Sequence, residues 1–394
     1  VLPRDPHEGV KIENDVIGVR LWGPATAPTL TLGGADIWDR RWFAERQPLI
    51  TLAKIRDCAE TGRISEIAKS PNSTAYHLYQ QYDFPCPKPG AQLILQTPFG
   101  EEAWAEVTDE FLGLEVAGNG KRLLVKMWVS LEQRLVVLEC RQTGLAVGDF
   151  SIRVYRHRDT ISPGEPIDLS IGGGPSGLDF EQLPMPSAFV NKDTWGIEQQ
   201  FASDSTFPAG FRFTIAAIAS DASVELAVCK SGNGLGTTLW AEKEGRLDHG
   251  TVKRYSPINE AAGAAATASF TSLPESFAVF ATVATLHDAD NPVEHAIAFL
   301  RTAAGRGLAE HQKEQAAAFH SARRPLPAEA SIAGAAVLTA PPVVLPNLRR
   351  KGGYYGDIPM CSVGPTKYCF QDAGLWHADF HLNEIRAEPL LTLG

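Results

Sequence analysis

The sequence is poor in metal-binding signals. Its six cysteines, Cys58, Cys86, Cys140, Cys229, Cys361 and Cys369, contain no CxxC pair, so no zinc knuckle is expected. Long apolar runs are missing too. None reaches the roughly 20 residues that a spanning helix needs, and a membrane is not an expected partner. Positive charge is in deficit: 36 Lys and Arg stand against 46 Asp and Glu, giving a net charge of −10. Such a surface repels phosphate backbones and argues against nucleic acid, while a neutral or cationic ligand suits it. There is no G-x-S-x-G, which removes a nucleophile elbow of that type. The one G-x-G-x-x-G match, Gly172 to Gly177, runs into Leu178 to Pro186. That stretch holds two prolines and no helical period, so the match reads as a loop and no dinucleotide cofactor is expected.

Some features stay open. Cys361 and Cys369 bracket a Gly-Pro loop and read either as a disulfide or as free thiols. Asn72-Ser73-Thr74 is a glycosylation sequon, meaningful only in a secreted eukaryotic protein. The opening Val1-Leu2-Pro3 has no signal-peptide pattern and suits a mature N-terminus.

At 394 residues the chain exceeds one ordinary core, and two domains are expected. Residues 1–287 read as strands. Short β-rich runs lie at Val16–Trp22, Thr29–Leu32, Ala91–Leu95, Phe150–Arg156, Phe211–Ile218, Ser223–Lys230 and Ser276–Thr285. Arg122–Ser130 and Arg134–Gln142 form a natural hairpin around Leu131-Glu132-Gln133. Gly, Pro and Asn punctuate these runs, which predicts antiparallel sheets in a large sandwich rather than βαβ units. One early helix is expected near Trp42–Glu60. Asn291-Pro292 then signals a helix start, and Val293, Ala296, Ile297, Leu300 and Ala303 recur at helical spacing. Leu308–Arg323 is a second helix. The organisation expected is therefore mainly β: a large antiparallel β-sandwich over 1–287, a helical linker over 288–327 and a partial α-helical domain over 328–394.

Two clusters of polar and aromatic residues suggest chemistry. The first is Leu375-Trp376-His377-Ala378-Asp379-Phe380-His381-Leu382-Asn383-Glu384. An indole offers a stacking face to a sugar ring, while carboxylate, amide and imidazole groups match hydroxyls. Glycoside hydrolysis further requires a proton donor and a base on opposite sides of the bond. The competing reading is a helix start capped by Asp379. His377 and His381 stand at i, i+4 like a zinc helix, but Ala378 holds the place of the general-base Glu, so no metal is expected. The second cluster is Asp36-Ile37-Trp38-Asp39-Arg40-Arg41-Trp42. Arginine forks bind paired hydroxyls, and Trp supplies a stacking face. The alternative is an internal Asp–Arg ion-pair corner.

The run Trp376 to Asn383 resembles the W-x-x-D-Y-H-x-N active-site segment of glycoside hydrolases of family 95, the α-L-fucosidase and α-L-galactosidase group. Leu21-Trp22-Gly23 and Leu30 to Arg41 resemble that family's N-terminal signature, and His311-Gln312 through Phe319-His320-Ser321 resembles its linker. The resemblance implies a β-supersandwich, linker helices and an (α/α)6 barrel, here incomplete. It implies inverting acid–base hydrolysis of an α-linked glycoside or oligosaccharide without a cofactor, in a secreted or periplasmic protein. Asn383 and Asp379 become the catalytic candidates. Trp376, His377, His381, Glu384, Trp38, Asp39 and Arg40 become the substrate-binding ones. Departures from the pattern are specific. The second Asn is replaced by Ile385, the linker Trp pair by Glu314 and Gln315, and the segment after the active-site strip by Glu384 to Leu390. A catalytically inactive carbohydrate-binding sandwich is the alternative these departures favour. A sugar phosphorylase would share the domains but needs a phosphate cradle that the sequence does not display.

Overall fold

The computed structural model describes Leu2 and residues 9–14, 16–39, 52–63, 86–87, 90–100, 104–107, 111–157, 184–201, 203–204, 206–232, 238–247, 250–258 and 263–322. Two antiparallel sheets dominate. The seven-stranded sheet runs β1 (Val10–Glu13), β2 (Ile17–Trp22), β3 (Thr29–Gly34), β6 (Ala91–Gln96), β11 (Ser151–His157), β18 (Gly263–Ser272) and β15 (Ser223–Gly232). The eight-stranded sheet runs β12 (Ser187–Asn191), β13 (Thr194–Gln200), β14 (Arg212–Ser220), β19 (Ser276–Thr285), β10 (Leu135–Thr143), β9 (Lys121–Val129), β8 (Leu112–Gly118) and β7 (Trp104–Val107). Two small pairs complete the strands: β4 (Trp38–Asp39) with β5 (Cys86–Pro87), and β16 (Thr238–Leu247) with β17 (Gly250–Ile258). The described helices are α1 (Leu52–Glu60), α2 (Pro292–Arg306) and α3 (Leu308–Ala322).

The alternation of side chains along each strand explains the layering. In β11, Ile152 and Val154 join the main core, as do Leu93 and Leu95 of β6 and Leu30 and Leu32 of β3. From the facing sheet come Val136 and Leu138 of β10, Phe213 and Ile215 of β14, and Phe277, Val279, Ala281 and Val283 of β19. The intervening residues of the seven-stranded sheet mix polar Thr29, Thr31, Gln92 and Thr267 with a small buried apolar cluster of Ile94, Tyr155 and Ala265. In the eight-stranded sheet many intervening residues of β10, β14 and β19 are apolar as well. Leu135, Val137, Ala216, Ile218, Ala278, Phe280 and Ala284 form a second core with Ala296, Leu300 and Ala303 of α2. That sheet is covered on both faces.

Local chemistry sets the connections. β8 and β9 are joined by Asn119-Gly120, both at positive φ (53° and 75°), a hairpin turn that this residue pair favours. The Asn291 side chain accepts a hydrogen bond from the Glu294 amide at 3.2 Å, and Pro292 opens α2; both fit the first turn of a helix. Gly307, at φ 79°, turns the chain into α3. His311 of α3 is buried, its Nε2 donating to the Ala303 carbonyl at 2.9 Å while the ring lies on Phe280. Gln315 bonds the Val129 carbonyl and the Leu131 amide, and Gln312 donates to Glu139. The two linker helices expected from the sequence are present, and they pack on the sandwich as a third layer.

The early helix expected over Trp42–Glu60 is observed only as α1, and residues 42–51 lie outside the described set. Of the cysteines, Cys58, Cys140 and Cys229 are free thiols. Burial, aided by the neighbouring Glu139 charge, pushes the Cys140 thiol far up, so it stays protonated. Among the described residues no helix is long and apolar enough to cross a membrane.

Candidate functional site

The first candidate cluster, with Trp376, His377, Asp379, His381, Asn383 and Glu384, lies outside the described residues. So do Arg40, the Cys361–Cys369 loop, the Asn72 sequon and the Gly172–Gly177 loop. The second cluster is described in part. The backbones of Trp38 and Asp39 form β4, paired through Trp38 with Pro87 and through Asp39 with Cys86. Asp36, two residues before Trp38, is described in full.

Asp36 sits in a turn at the end of β3, and its carboxylate faces the hairpin between β9 and β10. Arg134 of that hairpin donates through Nη1 to Oδ1 at 3.2 Å and through Nη2 to Oδ2 at 2.7 Å. This is the two-pronged fork geometry. The third edge of the guanidinium, Nε, lies 3.2 Å from Oδ1 of Asp288, in the turn that follows β19. The Thr285 hydroxyl donates to Asp36 Oδ2 at 2.8 Å and accepts from the His287 amide. The Thr285 amide donates to Asp288 Oδ2 at 2.8 Å. Burial alone raises the Asp36 pKa. The Arg134 fork and charge and the Thr285 hydroxyl outweigh it, and the carboxyl ends below its ordinary value. Asp36 is therefore ionised at neutral pH and fully engaged. Among the described residues, Asp36 forms an ion-pair corner with Arg134, 98 residues away; Arg40 and Arg41 lie outside the described set.

The hairpin bearing Arg134 is itself held. Asn14 donates to the Ser130 and Gln133 carbonyls, and Thr282 to the Arg134 carbonyl. Beside the corner, His287 packs on Phe207 and Phe211, and Arg212 donates to the Asp290 carbonyl. The chain thus leaves the sandwich through a fixed exit. Arg134, Thr285 and Asp288 carry no motif in the sequence, and only the sheet register brings them to Asp36.

Two grooves have described linings. One, of about 60 Å³, lies between α3 and the eight-stranded sheet, lined by Lys126, Trp128, Gln312, Gln315, Ala316 and Phe319. The other, of about 10 Å³, is lined by Thr31, Gly90, Ala91, Gln92, Tyr155, Arg156 and His157. Neither lining includes a carboxylate, so neither holds the acid–base pair that glycoside hydrolysis uses. The second groove opens above Arg156, whose guanidinium is buried over Phe213 and bonds the Gly90 carbonyl and Gln199. Among the described residues no group of three or more His, Cys, Asp or Glu side chains is arranged to hold a metal ion.

No family model matches the chain, and no curated protein does. Among solved structures, a putative kojibiose phosphorylase from the human microbiome shares 7% identity over 77% of this chain and 34% of its own, with a TM-score of 0.31. A family GH92 inverting mannosidase from Bacteroides thetaiotaomicron shares 11% over 60% and 26%, at 0.28. A 4-alpha-glucanotransferase from Thermococcus litoralis shares 9% over 69% and 36%, at 0.25. The match covers about a third or less of each of these proteins. TM-scores this low do not establish a common fold.

Proposed function

We propose that the chain is the sandwich, linker and part of the catalytic region of a glycoside hydrolase. The substrate is an α-linked glycoside, fucoside-like or galactoside-like, cleaved with inversion by acid–base catalysis. One observation carries the reading: a large two-sheet sandwich is followed by a fixed exit and two docked helices, and the segment holding Trp376, His377, Asp379, His381, Asn383 and Glu384 comes next along the chain. A two-sheet sandwich followed by helices is the order that the family resemblance implies. In this reading Asn383 and Asp379 act on the attacking water. Trp376 stacks on the sugar, and His377, His381 and Glu384 bind its hydroxyls. Trp38, Asp39 and Arg40 approach the same pocket from the sandwich. The protein works outside the cytoplasm, secreted or periplasmic.

The test is chemical. The full chain is incubated with aryl α-L-fucoside and then aryl α-L-galactoside, and the first-formed anomer is followed by NMR. Release of sugar of inverted configuration supports the reading, and Asn383→Ala should abolish it. Absence of turnover on any aryl glycoside overturns it.

A second reading is favoured by the helix docking. At positions where the family pattern has tryptophans, Gln315 instead grips the β9–β10 hairpin and Glu314 pairs with Arg306. The helices then close the sandwich as a self-contained carbohydrate-binding unit without catalysis. Oligosaccharide binding measured by calorimetry, with no hydrolysis, selects this reading over the first.

A further inference from the structure

Arg134 is bonded to two carboxylates that root two different segments. Asp36 precedes β4 and the run Trp38-Asp39-Arg40. Asp288 precedes α2. The three charged side chains of the corner are each more than three-quarters buried: Arg134 is 22% exposed, Asp36 16% and Asp288 20%. Asp36 and Thr285 are 249 residues apart in sequence, and the Arg134 guanidinium and the Thr285 hydroxyl supply the polar link between their segments, beside the core that Ile37 and Val283 share. Around Asp36 the fit is close. A Cβ on Gly34 would lie 3.0 Å from Asp36 Oδ1 and 3.2 Å from Ile37, so the β3 turn has little room to shift the carboxylate.

We infer that Arg134 is a positioning residue: it fixes the spacing between the turn that leads into β4 and the helices that start after Asp288, so that displacement of one is transmitted to the other. The functional consequence rests on the glycosidase reading, in which Trp38, Asp39 and Arg40 line the saccharide pocket and the helices lead along the chain to the segment that completes it. The mechanical part does not depend on it. The fork supplies the directionality. A guanidinium offers donors on three edges in one plane, so Asp36 and Asp288 are held at a fixed angle as well as a fixed distance. A lysine at this position would keep the charge and lose the angle.

The experiment is hydrogen exchange by mass spectrometry on the full chain at neutral pH, comparing wild type with Asp36→Asn, Arg134→Lys and Arg134→Met. Loss of a charge-assisted bond at a buried corner is worth about 1.5–3 kcal/mol, or roughly tenfold to hundredfold in local opening. Asp36→Asn is therefore expected to speed exchange by about tenfold in residues 286–300, although no residue of that stretch is altered. Peptides of β10 and β14 should stay at the wild-type rate. Arg134→Lys should speed exchange in residues 34–39 and 286–300 together, and Arg134→Met more so. Arg134→Met leaves two carboxylates facing each other and is expected to lower the yield of folded protein; Asp36→Asn and Arg134→Lys then carry the test. If Asp36→Asn leaves residues 286–300 at the wild-type rate, the coupling is absent and the inference falls. If exchange rises in every peptide alike, Arg134 is only a stabilising residue, and the inference again falls. Where wild type cleaves a glycoside, Arg134→Lys should raise KM more than it lowers kcat. Where wild type cleaves none, the glycosidase reading fails while the exchange result still decides the coupling.

Discussion

The two sheets of the sandwich use the same inner face and opposite outer faces. Inside, both contribute branched and aromatic side chains to one core. Outside, the seven-stranded sheet presents polar Thr29, Thr31, Gln92, Arg153 and Thr267 around only a small apolar cluster of Ile94, Tyr155 and Ala265. The eight-stranded sheet presents Leu135, Val137, Ile218 and Phe280, covered by α2. A sheet with polar residues on alternate positions can end a protein, whereas one that is apolar on both faces needs another layer. The helices are therefore part of the fold of the eight-stranded sheet.

The most severe way to break this contrast is to end the chain at Thr285. Removing α2 and α3 exposes Leu135, Val137, Ile218 and Phe280, each worth about 1.5–3 kcal/mol of burial. The truncated protein is expected to aggregate or to bind a hydrophobic dye strongly, as read by size-exclusion chromatography and dye fluorescence. A point change in the same layer, Leu300→Ala, should cost about 2–5 kcal/mol in urea denaturation, since Leu300 is fully buried against the sheet. On the outer face of the other sheet, Thr31→Val removes the acceptor of the Trp22 indole N–H, now bonded at 2.9 Å. The expected loss is about 1–3 kcal/mol, below that of Leu300→Ala. If Thr31→Val proves the costlier, the contrast between the two outer faces is wrong.

The mildest effect expected is on pH dependence at the corner that ties the sheets together. The folded-state pKa of Asp36 is depressed. Its contribution to stability is therefore fully present above the ordinary aspartate value and is lost as pH falls through that value toward the depressed one. Asp36→Asn should lower stability at neutral pH and flatten the acid side of the stability curve. Urea midpoints between pH 7 and pH 3 for both proteins measure this, and a variant curve parallel to that of wild type contradicts it.

Much of this architecture is legible in the sequence. The runs at Val16–Trp22, Ala91–Leu95 and Ser276–Thr285 match β2, β6 and β19 to within a residue. The Asn291-Pro292 signal marks the start of α2. These elements declare themselves because periodicity or capping is a local property. Strand β18 does not. Its core residues include Ala264, Ala266 and Ala268, and an alanine-rich stretch has no strand signature of its own. It becomes a strand because it lies between β11 and β15, where small side chains fill the space available. The Asn119-Gly120 turn is a local signal for β8 and β9, and it places β8 where the apolar runs alone do not. The corner was half legible: Asp36 stands out beside Trp38 and two arginines, but its partners come from residues 134, 285 and 288. Pairing across such distances is set by register and leaves no trace in spacing.

The order of synthesis gives the docked helices a further meaning. Every strand of the eight-stranded sheet leaves the ribosome before α2 does, so its outer apolar face is made well ahead of its cover. During that interval the nascent protein carries a wide sticky surface of the kind that chaperones hold and that neighbouring chains seize. Expression is thus expected to depend on how promptly residues 292–322 follow, and a slow stretch of translation just before Pro292 should lower the yield of soluble protein.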